Sequence, residues 1–77
     1  MINRQISEIA HEISKTWKNV NYAAMPYLAA MHSLDSPDSN YGYDSGKSIV
    51  LYFLSNSTSW RGEDARRIKK ELRDLIK

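Results

Sequence analysis

Between residues 40 and 50 the chain reads NYGYDSGKSIV, placing Gly42, Gly46, Lys47 and Ser48 nearly in the order of a phosphate-cradling loop. Such a loop brackets four residues between its glycines so that successive N–H groups surround the phosphates, with a strand before it and a helix after it. Here only three residues intervene. No parallel sheet can be assembled around the stretch, and no acidic residue follows a second strand to hold magnesium. The expectation is therefore a helix start, with Asp44 or Ser45 accepting a backbone N–H of the first turn. Free N–H groups at Gly46, Lys47 and Ser48 still offer a weaker anion contact.

A second near-motif, HEISK, spans residues 11 to 15. The zinc-protease helix needs two histidines one turn apart with a glutamate between them, and Lys15 occupies the second histidine position. A protonated amine cannot ligate zinc, so no metal site is expected from this motif and no cofactor is implied. His11 reads as a polar-face residue. His32 is the other histidine, and nothing in the sequence fixes it beside a nucleophile. No acid, base and nucleophile constellation is visible, and a non-catalytic protein is expected.

Aromatic and cationic residues carry more. Tyr41 and Tyr43 sit in a polar stretch where packing explains them least, while Trp17 and Phe53 suit a small core. Trp60 serves either use. Next to it, Arg61 supplies a forked donor for phosphate or carboxylate. Rings beside arginines are the chemistry that stacks bases and grips phosphates. Towards the carboxy terminus, Arg66, Lys70, Arg73 and Lys77 align within about 60° of a helical wheel, with Lys69 beside them. Glu63, Asp64, Glu71 and Asp74 fall on the other flank around Arg67. Pairs such as Glu63 with Arg67 and Lys70 with Asp74 would solvate an ordinary face. The unbalanced basic flank instead suits an anionic partner.

The elements that must position these groups follow from apolar spacing. Ile2, Ile6, Ile9, Ile13, Trp17 and Val20 recur at steps of three and four, which predicts an amphipathic helix over 2–20. Pro26 disfavours helix at Met25, so a short turn at 22–25 and a helix from Pro26 to about Leu34 are expected. Small Ala24, Ala29 and Ala30 allow a neighbour to approach closely. DSPDSNYGYDSG, residues 35–46, reads as one long polar loop. SIVLYFL is then a third helix, since it has no second strand to pair with. STSWRG breaks the chain before a last helix over 63–77, whose apolar face is Ala65, Ile68, Leu72, Leu75 and Ile76.

The predicted fold class is all-α: a small bundle of three longer helices plus one short helix, in a single domain. With 77 residues and no cysteine, the core is small and unstapled by disulfides, so a homo-oligomer is expected. No apolar run reaches the roughly 20 residues that span a bilayer, and no secretion signal is evident at the amino terminus, so no membrane association and a cytoplasmic location are expected. Formal net charge is only +2, too slight to imply nucleic acid by itself. Its distribution is uneven, since residues 61–77 carry a net +3 and the preceding sixty a net −1.

The wording of NYAAMPYLAAM, YGYDSGKSIVLYFLSNSTSWRG and ARRIKKEL resembles a set of short orphan proteins encoded by tailed bacteriophages. The resemblance implies provenance and carries no catalytic motif. Small phage proteins of this kind commonly bind and disable a host component early in infection. The expected function is accordingly a phage-type accessory protein that neutralises a host defence protein or a nucleotide signal. With a nucleotide, Tyr41, Tyr43 and Trp60 would stack on bases while Lys47, Arg61 and Arg66 hold phosphates. With a protein, the 35–46 loop and the last helix would form the contact. The alternative is a small DNA- or RNA-binding protein using the basic flank of residues 66–77.

Overall fold

The computed structural model describes residues 4–36, 40–42 and 44–76, with the backbone alone at Asn40 and Tyr41. Its elements run in the order α1 (Ile6–Thr16), α2 (Met25–Met31), a two-stranded hairpin of β1 (Asn40–Tyr41) and β2 (Asp44–Ser45), α3 (Gly46–Ser55) and α4 (Glu63–Leu75). The fold is all-α, with three longer helices and one short one as the apolar spacing predicts.

α1 begins at Ile6, where the Glu8 carboxylate accepts from the Gln5 N–H at 3.0 Å, and it stops at Thr16. The predicted extension to Val20 fails because Trp17 turns to extended backbone and swings its ring into the core. Ile2 lies outside the described residues. The first N–H groups of α1 are satisfied from afar: Ile6 and Ser7 donate to Asp35 O and Leu34 O at 3.1 and 2.8 Å. This pins the segment after α2 to the start of α1, which brings His32 near the middle of α1.

α2 is shorter than predicted. Pro26 stands in its first turn, where a missing N–H costs nothing. Past Met31, Ser33 and Leu34 close tighter turns onto Ala30 O and Met31 O, which lets Leu34 bury its side chain. Part of the expected 35–46 loop is instead the hairpin, with Asn40 opposite Ser45 and Tyr41 opposite Asp44. Gly42 sits between them at φ 65°, a conformation that favours glycine. At the helix start, Ser45 Oγ accepts from the Ser48 N–H at 3.1 Å. That settles the near-motif of residues 40–50 as a capped helix, and the capped N–H is no longer open to an anion.

Ile6, Ile9, Ala10 and Ile13 from α1, Leu28 and Met31 from α2, Ile49, Val50 and Phe53 from α3, and Ala65, Ile68 and Leu72 from α4 make the core. Three aromatic rings close one end of it. Trp17 and Trp60 stack face to face with centroids 5.2 Å apart, and Phe53 meets Trp17 and Trp60 edge-on at 6.0 and 6.5 Å.

Outside the core, ion pairs tie α1 to α4. Arg4 reaches Glu71 through two hydrogen bonds of 2.9 and 2.6 Å and Glu12 at 2.6 Å, while Arg67 reaches Glu12 at 2.6 Å and Asp64 at 3.2 Å. Arg67 thus pairs with Asp64 and Glu12, not with Glu63 as its spacing suggested, because Glu12 on α1 draws it to that side. Burying one large aliphatic or aromatic side chain is worth about 1.5–3 kcal/mol, against about 0–1 for an exposed pair. Apolar packing therefore holds the bundle, and the pairs fix which flank of α4 faces α1.

Candidate anion-binding surface

α4 divides its charges by function. The flank carrying Asp64, Arg67 and Glu71 is committed to α1 through the ion pairs above. Arg66 and Arg73 project from the other flank, seven residues apart, which puts them nearly in line and about 10 Å apart along the axis. Both are exposed, as is Arg61. Among the described residues, none of these three guanidiniums is paired with a carboxylate, whereas Arg4 and Arg67 both are. Lys70 is also exposed but holds Asp74 at 3.5 Å, which partly neutralises it.

Lys69 is the hub of this region and has a structural role that its place on the helical wheel does not reveal. Its ammonium donates to Ser57 O and Trp60 O, each at 2.7 Å, and stands 5.8 Å from the centre of the Trp60 ring. These bonds satisfy carbonyls of the α3–α4 turn and lock Trp60 inward. Burial pushes the amine below its ordinary pKa, and the like charges of Arg73 and Arg61 push the same way. The two arginines therefore converge on Lys69.

Trp60 is 4% exposed, so it is a core residue and cannot stack on a ligand as the nucleotide reading required. Only its rim is reachable. With Arg61 it borders an open recess of about 440 Å³ that is also lined by Thr16, Trp17, Lys18, Asn19 and Ser59. The recess holds two cations, the Ser59 hydroxyl and the Asn19 amide, while the Thr16 hydroxyl is spent on Glu12 O at 3.0 Å; no carboxylate lines it among the described residues. Such a set receives phosphate or carboxylate oxygens. Lys18, Asn19 and Ser59 escape sequence reasoning because the recess forms only when the end of α1 meets the α3–α4 turn.

The other predicted residues stand apart. Lys47 is exposed in the first turn of α3, about 12 Å along that helix from its last turn, beyond which Arg61 lies. Tyr41 contributes backbone to β1, and Tyr43 lies outside the described residues. The zinc-protease geometry is not formed either, since Glu12 is held by Arg67 and Arg4 and its carboxyl lies below the usual range for that reason. Ser14 Oγ lies 3.1 Å from His32 Nε2. Ser14 is inside α1, where neighbouring N–H groups are spent in the helix ladder and leave no oxyanion donors.

No helix among the described residues is long and apolar enough to cross a membrane. No protein-family model, curated protein or solved structure matches the chain.

Proposed function

We propose that the protein is a non-catalytic, phage-type accessory protein that binds and neutralises a host component, gripping an acidic surface of a host protein with the free flank of α4 and the adjoining recess. The observation that carries this reading is the division among arginines: Arg61, Arg66 and Arg73 have no carboxylate partner among the described residues, while Arg4 and Arg67 are spent on holding α1. Arg66 and Arg73 along α4, with Arg61 in the turn before it, suit an extended partner better than a single nucleotide. The likeness to phage orphans supports the host setting. In the nucleotide version, with the Trp60 ring buried, base stacking would fall to Tyr41 and Tyr43.

Nucleic acid is the second reading, favoured by the in-line spacing of Arg66 and Arg73. Capture from host-cell lysate by the wild type and by a chain carrying Arg61→Gln, Arg66→Gln and Arg73→Gln separates the readings when duplex DNA and RNA binding is measured beside it. A protein captured by the wild type and lost by the variant supports the proposal. Binding to nucleic acid that falls steeply between low and moderate salt, with no captured protein, supports the second reading. Equal capture by both chains removes the arginine surface from the account.

A further inference from the structure

An open recess of about 670 Å³ runs along one face of α1 beside His32, the residue that ends α2, and the proposed function leaves it unused. It holds both histidines of the chain. Their rings stand edge to face with centroids 6.5 Å apart. His32 is oriented by the Ser14 hydroxyl at 3.1 Å. When His32 Nε2–H donates to Ser14 Oγ, Nδ1 keeps its lone pair, which is how outer hydroxyl or carboxylate partners prepare a ligating imidazole.

We infer that this groove binds a divalent transition-metal ion through His11 and His32, with water completing the shell. HEISK lacks its second histidine in sequence, and the fold supplies an imidazole to that face from α2. Two imidazoles in neighbouring positions on one copper or nickel ion, with bonds of about 2.0–2.1 Å, bring ring centres to about 4.5 Å. His11 is exposed, so rotation of its side chain would close the gap from 6.5 Å while His32 keeps its Ser14 partner. Of the nearby carboxylates, Glu12 is held by Arg4 and Arg67 and Glu8 accepts the Gln5 N–H through one oxygen, while Lys15 adds a positive charge to the same recess. Among the described residues no group of three or more His, Cys, Asp or Glu side chains is placed to hold a metal, so the inferred site has two protein ligands and depends on water for the rest of its shell. A site of imidazoles and water favours copper and nickel over zinc, and ignores magnesium. Bridging α1 to α2, the ion would also act as the staple that a small domain without cysteine lacks.

Titration of the untagged full chain with NiCl₂ and CuCl₂ tests the inference. Saturable binding at one ion per chain, a higher melting temperature, and simultaneous loss of both imidazole proton resonances on adding substoichiometric Cu²⁺ are expected. Either His11→Ala or His32→Ala should abolish all three while leaving the metal-free melt unchanged. The Arg61, Arg66 and Arg73 triple variant should bind nickel as the wild type does, which keeps this site separate from the proposed function. Absence of saturable binding, or binding that survives in the double histidine variant, overturns the inference.

Discussion

Trp60→Ala tests whether the ring nearest the arginine surface belongs to the core or to a ligand. The side chain is 4% exposed, stacks on Trp17 at 5.2 Å, meets Phe53 edge-on and lies under Lys69. Truncating a buried aromatic to alanine costs about 3–5 kcal/mol once the cavity is included. A domain of this length has roughly 4–12 kcal/mol in all, at about 0.05–0.15 kcal/mol per residue. One substitution therefore removes a large share of the total. Urea unfolding followed by far-UV circular dichroism should show a midpoint far below that of the wild type, and thermal melting should fall by more than about 12 °C, at about 4–8 °C per kcal/mol. Trp60→Phe keeps a ring against Trp17, preserving a contact worth about 0.5–1.5 kcal/mol beyond its area, and should lose much less. A Trp60→Ala chain that melts with the wild type would refute the packing argument and return the ring to a binding role.

Lys69→Met should cost about 3 kcal/mol or more in denaturant unfolding, because two carbonyls lose a charged donor whose bonds are worth about 1.5–3 kcal/mol each. Since the folded Lys69 pKa lies below the ordinary 10.5, the native state gives up that proton first, so this group makes stability rise as pH climbs from the folded value towards 10.5, and the methionine variant should lack that rise. Glu12→Gln should lower stability by about 1 kcal/mol, less in high salt. The Glu12 carboxyl is held below its ordinary 4.5, so its contribution is complete above 4.5 and disappears as pH falls through the folded value; acid titration of Glu12→Gln should show a flatter limb there. Arg66→Gln and Arg73→Gln should each leave the melt within about 0.5 kcal/mol of wild type, as expected where no side-chain ion pair is lost among the described residues.

Helix positions are legible in the sequence because each longer helix buries one face, so Ile6, Ile9 and Ile13, or Ala65, Ile68 and Leu72, recur at helical steps. Helix ends are less legible. Trp17 continues the stripe in spacing but leaves the helix to reach Trp60, a contact across 43 positions that no local pattern announces. The hairpin is hidden because a two-residue ladder has no periodicity to read. For the surface, the basic flank is visible on a wheel, yet the wheel treats Lys69, Arg66 and Arg73 alike. Only the turn carbonyls distinguish Lys69, which is bound, from the two arginines, which are free of carboxylates among the described residues. The His11 and His32 pairing depends on the chain after α2 returning to cap α1, which composition does not encode.

The central claim is that Arg61, before α4, and Arg66 and Arg73 on it form a gripping face, and its most direct measurement is the affinity of the captured host partner for the wild type and for the Arg61→Gln, Arg66→Gln and Arg73→Gln chain, with melts recorded in parallel. The account predicts an unchanged melt and affinity weakened about 100-fold or more, about 2.7 kcal/mol, within the range for charged interface contacts. Equal affinity for both chains would contradict it.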